Sequence, residues 1–399
     1  MIKIKFKIPE GFICANDYLK YTAFEGIARR YKKEKEAGDD KWKNIIEKLE
    51  YELEIISKGD FSDYILAAAD FINWARENDI SVGLGTGNVP SSITAYALRM
   101  SDIDPVKYDL FFERLINPER ILAPILHFDF GIEGIDKLAA YIGDKYGKES
   151  IGQIRIINTE NDYNLYDCKP EKFCLFGKQA LDINKHAVNL IRKRGGAYSN
   201  FNIENIPEDD PAAFKVFQEG NTDDIFWFDS DTTKEFLKEA NPKTIHDLMI
   251  IYSLNRPAVI QQIPQYIACK NGKQEIVYSD PCMEDILRNT YGIIIYHEQA
   301  IQIIQRISGF TLGRADIFRK AAGRKSLLSV YREEEKAFIE GAVKRGFSAE
   351  KIGSILDVLK SSYLNTFPKS HAAAEAIQSY RSAYLKANFP QEFKAATRS

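Results

Sequence analysis

The sequence predicts an α/β layer followed by a mainly helical region, and three observations carry that prediction. Short apolar strands alternate with helical patterns between about residues 80 and 176, as in a mixed or parallel sheet with helices packed on it. Beyond about Asn200 apolar residues recur at helical spacing almost throughout. Between Arg192 and Ile206, Lys-Arg-Gly-Gly and Ser-Asn-Phe-Asn interrupt both patterns, which sets the domain boundary there.

In chain order, Trp42, Ile45, Ile46, Leu49, Leu53 and Ile56 form one helical stripe that Gly59 ends. A second helix covers about Tyr64 to Glu77. The apolar run Ile80–Leu84 predicts a strand running into the turn Gly83-Leu84-Gly85-Thr86-Gly87-Asn88. Pro90 then opens a helix, at a position where its missing N–H costs nothing. Ile121–Phe130 and Ile151–Ile157 predict strands, with a helix from Gly134 to Tyr146 between them. A polar, turn-rich stretch from Asn158 to Pro170 leads to a further strand, Lys172–Phe176. Helices are expected at 231–239, 245–254, 283–289, 298–308, 313–322, 328–346, 349–360 and 372–388.

Composition narrows the function classes. With 399 residues, 45% hydrophobic and 28% charged, the chain matches a soluble globular protein of two or three domains. No apolar run reaches the roughly 18 residues of a membrane span, and the opening residues lack a signal-peptide core. Five widely spaced cysteines without a C-x-x-C pair predict reduced thiols in a cytoplasmic protein, not a disulfide framework or a cysteine zinc site. The net charge of −3 is unevenly spread: residues 301–399 hold 17 Lys+Arg against 9 Asp+Glu, an excess that can attract phosphates.

Several blocks, in order, resemble the alpha subunit of bacterial DNA polymerase III. They include Tyr51-Glu-Leu-Glu-Ile-Ile-Ser, Asp60-Phe-Ser-Asp-Tyr-Ile, Thr94-Ala-Tyr-Ala-Leu-Arg, Asp102-Ile-Asp-Pro and Leu110-Phe-Phe-Glu-Arg-Leu-Ile-Asn-Pro-Glu-Arg120. Ile206-Pro-Glu-Asp-Asp-Pro, Phe226-Trp-Phe-Asp-Ser230, Tyr291-Gly-Ile-Ile-Ile-Tyr-His-Glu-Gln299, Ser308-Gly-Phe-Thr-Leu-Gly313, Lys369-Ser-His371 and Tyr384-Leu-Lys-Ala-Asn-Phe-Pro-Gln-Glu-Phe393 continue the series. The resemblance implies a nucleotidyltransferase-like α/β palm over 44–198 and a mainly helical fingers domain over 199–399, after an N-terminal extension of residues 1–43. It also implies that the family's PHP domain and thumb insertion are absent.

Such a polymerase holds two Mg²⁺ ions roughly 3.5–4 Å apart with converging carboxylates, because Mg²⁺ demands oxygen ligands. The family supplies them from P-D-x-D-x-D-F and K-x-D strands, whose alternate residues share a face. Here the first strand reads Pro124-Ile125-Leu126-His127-Phe128-Asp129-Phe130 and the second Lys172-Phe173-Cys174. Three ligand positions thus carry Ile125, His127 and Cys174, and only Asp129 is kept. No catalytic residue, no Mg²⁺ and no other cofactor is expected. A softer-metal site of His127, Asp129 and Cys174 is the less favoured reading, a buried inert thiol at Cys174 being the plainer one.

The resemblance carries DNA or nucleotide contact onto Gly85 and Gly87 of the glycine turn, where the family's Arg and Ser have become Thr86 and Asn88. It does the same for Lys172, for Arg256 of Arg256-Pro257-Ala258-Val259, and for Arg319, Lys320, Arg324 and Lys325. Lys369 and His371 complete the set. Neighbouring helical residues lie about 100° apart, so of Arg319 and Lys320 one can face a cleft and the other solvent. His297 replaces the family's glutamine. The expected function is a non-polymerising relative that binds primer-template DNA, nucleotide or a replisome partner, with no membrane role. The alternatives are an active polymerase completed by a partner, by Glu133 or by Glu160, a protein–protein decoy of the polymerase core, or a remnant without activity.

Overall fold

The computed structural model describes residues 4–157, 172–322 and 324–398. The expected polar stretch with Glu160 and Cys168 lies outside the described residues, as do Gly323 and the side chain of Lys325.

Helices Ala15–Arg30, Asp40–Lys58 and Ser62–Glu77 lead into the α/β layer. The second starts where the Asp39 carboxylate accepts the Trp42 N–H at 3.0 Å and stops at Gly59 as expected. Residues before 44 are packed into this layer: Ile4 and Leu19 share a core with Phe71 and Leu138. Arg30 pairs with Asp102 at 2.6 Å. A Cβ on Gly26 would stand 2.2 Å from the Ala97 carbonyl oxygen, so only glycine lets the first helix lie this close.

Three parallel strands, β1 (Leu126–Phe130), β2 (Ile151–Ile157) and β3 (Phe173–Lys178), form a sheet in the order β1-β3-β2. The helix Ile132–Tyr146 connects β1 to β2, as parallel pairing requires. Leu126, Phe128, Phe130, Phe173 and Leu175 turn one face onto Phe71, Ile72, Leu138 and Ile142. Each such side chain contributes about 1.5–3 kcal/mol by leaving water. The register sets His127 against Cys174 and Asp129 against Phe176, on the opposite face.

Two strand expectations need correcting. Ile80–Leu84 makes a single antiparallel bridge, Val82 to Phe130, because the glycine turn bends the chain away at once. Residues 121–125 stay irregular and β1 begins at Leu126, just after Pro124, which has no N–H to give a ladder.

The helical region follows the predicted periodicity, including Ile245–Leu254, His297–Ser308, Leu312–Ala322, Leu328–Lys344 and Ala349–Ser362. The single helix expected at 283–289 is broken: Glu284–Leu287 is helical, flanked by 3₁₀ turns. Lys369–Asn388 is buried along most of its length, with Ala372, Ala373, Ala376 and Tyr380 in the largest apolar cluster. Its small residues allow Ile245–Leu254 and Pro211–Gln218 to pack close. Pro390–Ala396 then returns to Gln179–Lys193 through Phe389, Phe393, Ala187 and Ile191. Among the described residues no helix is long and apolar enough to cross a membrane.

Candidate functional site

The second face of the sheet forms the floor of the site. Ile125, Cys174 and Phe176 cluster there with Phe226 from the helical region. The His127 ring stands edge-on to Phe176 at 5.6 Å. Asp129 is buried, and its Oδ2 accepts from the Thr86 hydroxyl and from the Lys178 ammonium, the latter at 2.9 Å. Lys178, two positions beyond Phe176 and on the same strand face, also bonds Glu375. The Trp227 indole N–H donates to the other Glu375 oxygen at 2.8 Å. Burial alone would lower the Lys178 pKa, but Asp129 and Glu375 outweigh it and hold the pKa raised, so the ammonium stays charged. The second Asp129 oxygen and His127 Nε2 are buried without a hydrogen-bond partner.

The glycine turn is locked onto this floor. Gly83 N–H donates to the Asp129 carbonyl at 2.8 Å. Gly85 and Gly87 have φ of 124° and 61°, which glycine adopts without strain. Gly87 is tied to the Lys369–Asn388 helix on both sides: its N–H donates to His371 Nδ1 at 3.3 Å, and its carbonyl accepts the Ser370 hydroxyl at 2.7 Å. Tyr252 meets His371 Nε2 at 3.1 Å. Burial pushes His127 down to about 4 and His371 down to about 3, so both rings are neutral near pH 7. Gly87 therefore spends both its backbone groups, and His371 both its ring nitrogens, inside the protein.

The expected cations separate into different settings. Arg319 is buried, donates to Asp316 at 3.0 Å and approaches His297 Nδ1 at 3.2 Å. Lys320 meets the same carboxylate at 2.7 Å with about a third of its side chain exposed, at 34%. Of this pair Arg319 is thus the inward residue and Lys320 the partly exposed one, both held by Asp316. Arg114 joins them at 2.8 Å from Asp316. His297 is half-buried beside Arg319, Arg114, Arg256 and Lys320; desolvation first, then these cations, hold its pKa well below the ordinary value. Arg256 donates to the Ser253 and Asn365 carbonyls and lies 4.6 Å from the Phe367 ring. Lys369 gives its backbone N–H to Glu298 at 3.0 Å. Arg324 is exposed and Lys172 half-buried.

The structure thus gathers Gly85, Gly87, Asp129, His127 and His371 at the floor, and Arg319 and Lys320 around Asp316. It does not bring Arg324 or Lys172 into either group. Sequence reasoning missed Lys178, Glu375, Trp227, Arg114 and Asp316. One signal was present: Lys178 ends an otherwise apolar strand and Glu375 interrupts an alanine run. Cys174 is disulfide-bonded, so the expected thiol is corrected; cysteine spacing does not reveal which sulfurs the fold brings together. Without a thiolate there, and with Lys178 on Asp129, the softer-metal arrangement also fails. Among the described residues no group of three His, Cys, Asp or Glu is placed to hold a metal ion.

Residues 17–169 match the family model described as the bacterial DNA polymerase III alpha NTPase domain, and residues 180–346 match the bacterial DNA polymerase III alpha subunit finger domain. The chain is 32% identical to DNA polymerase III subunit alpha of Treponema pallidum, over 99% of this chain and 42% of that protein. It is 32% identical to the Borreliella burgdorferi protein of the same name, over 98% of this chain and 42% of the relative. The chain belongs to the bacterial DNA polymerase III alpha family. Against the Aquifex aeolicus DNA polymerase III subunit alpha, identity is 30% over 95% of this chain and 43% of the relative. The chain therefore spans less than half the length of these DNA polymerase III alpha relatives. The Treponema alignment runs over 497 residues although this chain has 399, so that relative carries inserted residues with no counterpart here.

The donor set on the floor does not suit the pair of hard divalent ions that the family resemblance implies. Ile125 has no lone pair, imidazole and sulfur are poor partners for Mg²⁺, and the one carboxylate of β1 already faces an ammonium.

Proposed function

We propose that this chain is a DNA polymerase III alpha-like protein that does not polymerise and instead binds primer-template DNA. The observation that carries the first half is the pairing of Asp129 with Lys178, on a floor where the neighbouring positions are Ile125, His127 and Cys174. A two-metal transfer needs several acidic oxygens free to converge on the ions, whereas the sheet face offers Asp129 alone and the facing helix Glu375, both already held by the Lys178 ammonium. The second half is supported by the basic excess of residues 301–399 and by exposed cations such as Arg324. These are groups that attract a phosphate backbone without reading sequence.

The test is primer extension with Mg²⁺ and then Mn²⁺, beside a gel-shift on the same primer-template at low and raised salt. No extension, with a shift that weakens as salt rises, is the expected result. Extension that disappears in Asp129→Ala overturns the non-polymerising reading. No shift even at low salt overturns the DNA-binding half and moves the proposal toward a replisome protein as partner.

A further inference from the structure

Lys178 joins groups that otherwise have no reason to meet. Its ammonium lies between Asp129 of β1 and Glu375 of the Lys369–Asn388 helix, and the three side chains are 5%, 4% and 2% exposed. Glu375 is fixed in turn by the Trp227 indole N–H at 2.8 Å, so it cannot swing away without stranding a buried donor. The Phe226 ring sits 5.8 Å from the same ammonium. Two buried carboxylates facing one gap would repel each other unless a cation stood between them. Here the chain sets its own cation, the Lys178 ammonium, between the two carboxylates.

We infer that Lys178 is a built-in cation that stands between Asp129 and Glu375 in place of a divalent ion and fastens the sheet to the Lys369–Asn388 helix. The inference rests on the reading above that the floor no longer takes up the family's metal pair. It goes further by naming what replaced the metal and what the replacement does. With His127 and His371 neutral, the triad carries one net negative charge; without the lysine it would carry two. Taking away the ammonium alone therefore leaves a buried carboxylate pair that a small divalent cation with a taste for oxygen can bridge. Taking away the ammonium and the Glu375 charge together returns the site to one net negative charge, as in the native chain, and removing both members of a buried ion pair is often tolerated.

The test uses the full chain and Mn²⁺ as the only probe. Thermal melting is measured for the native protein and for Lys178→Met, each with and without the metal. The expected result is a melting temperature several degrees lower for the variant, raised again by Mn²⁺, with no response in the native chain. A variant that melts like the native protein overturns the inference, and so does one that Mn²⁺ lifts no more than it lifts the native protein. If Lys178→Met does not fold, Lys178→Met/Glu375→Gln decides, the glutamine keeping an acceptor for the Trp227 N–H: it is expected to fold and to melt cooperatively, and failure to improve on the single variant overturns the inference. Primer extension by the native chain would end the proposal of a non-polymerising cleft, whereas these melts report on Lys178 alone, so the two failures are distinguishable.

Discussion

The Arg114 guanidinium and the Asp316 carboxylate meet at 2.8 Å with their side chains 4% and 0% exposed, joining the α/β layer to the Leu312–Ala322 helix. Asp316 also serves Arg319 and Lys320. Burial opposes its ionisation, but the three cations hold its carboxyl far below the ordinary range. Asp316→Ala leaves three cations short of their shared partner, so a loss of about 3–5 kcal/mol in urea unfolding is expected. The exposed pair Lys215–Glu219, 3.5 Å apart, is the control: Glu219→Gln should change stability by less than about 0.5 kcal/mol.

Stability should fall as the solution is acidified from about pH 6.5 toward pH 4. Burial pushes His127 and His371 from an ordinary 6.5 down to about 4 and about 3. In that window the unfolded chain binds protons that the folded chain refuses, so stability rises with pH. The contribution is complete above 6.5. Urea midpoints at a series of pH values check this. His371→Gln should make the acid limb shallower by up to about 1.4 kcal/mol per pH unit, the effect of one proton.

Lys320 and Arg324 differ in what binding should ask of them. Arg324 is exposed, whereas Lys320 must leave Asp316, 2.7 Å away, to reach a phosphate. Arg324→Ala should weaken primer-template binding about equally across sequences and lower the slope of log affinity against log salt by about 1. Lys320→Ala should lower the slope less. Salt titration of a fluorescent duplex distinguishes the two.

Gly87→Ala should destabilise the protein and loosen the cleft. Its φ of 61° is unfavourable for alanine, and the added Cβ would stand 2.9 Å from His127 Nδ1. The left-handed conformation alone costs about 1–2 kcal/mol, and the clash adds to it. A matching Gly38→Ala, where a Cβ meets nothing within 4 Å at φ 62°, isolates the conformational share. Denaturant midpoints of the two variants give the difference.

The sequence was most legible where local periodicity decides structure. The stripe from Trp42 to Ile56, the Gly59 stop and the β2 limits came through, because helix and strand spacing is a property of nearby residues. Ile80–Leu84 misled because an apolar run reads as a strand whether or not a partner runs beside it for more than one residue. At the site, the changed residues of β1 and β3 were visible as letters, but their consequence was not. Glu375 lies 197 positions from Lys178, and no spacing rule links a strand-end lysine to a carboxylate in an alanine-rich helix. The setting of Arg319 was hidden for the same reason, since its partner network includes Arg114, 202 positions from Asp316.

The bond between Gly87 and His371 spans 284 positions, and that separation bears on how the chain reaches its fold. While the protein is being made, the glycine turn leaves the ribosome long before the helix that will receive its N–H. Until then the turn rests on β1 and on Ser101 and Asp102, whose hydroxyl and N–H both donate to the Leu84 carbonyl. Closing so large a loop is entropically costly, and distant pairings of this kind form late and slow the search. The second face of the α/β layer is therefore expected to stay open until Lys369–Asn388 arrives to cover it.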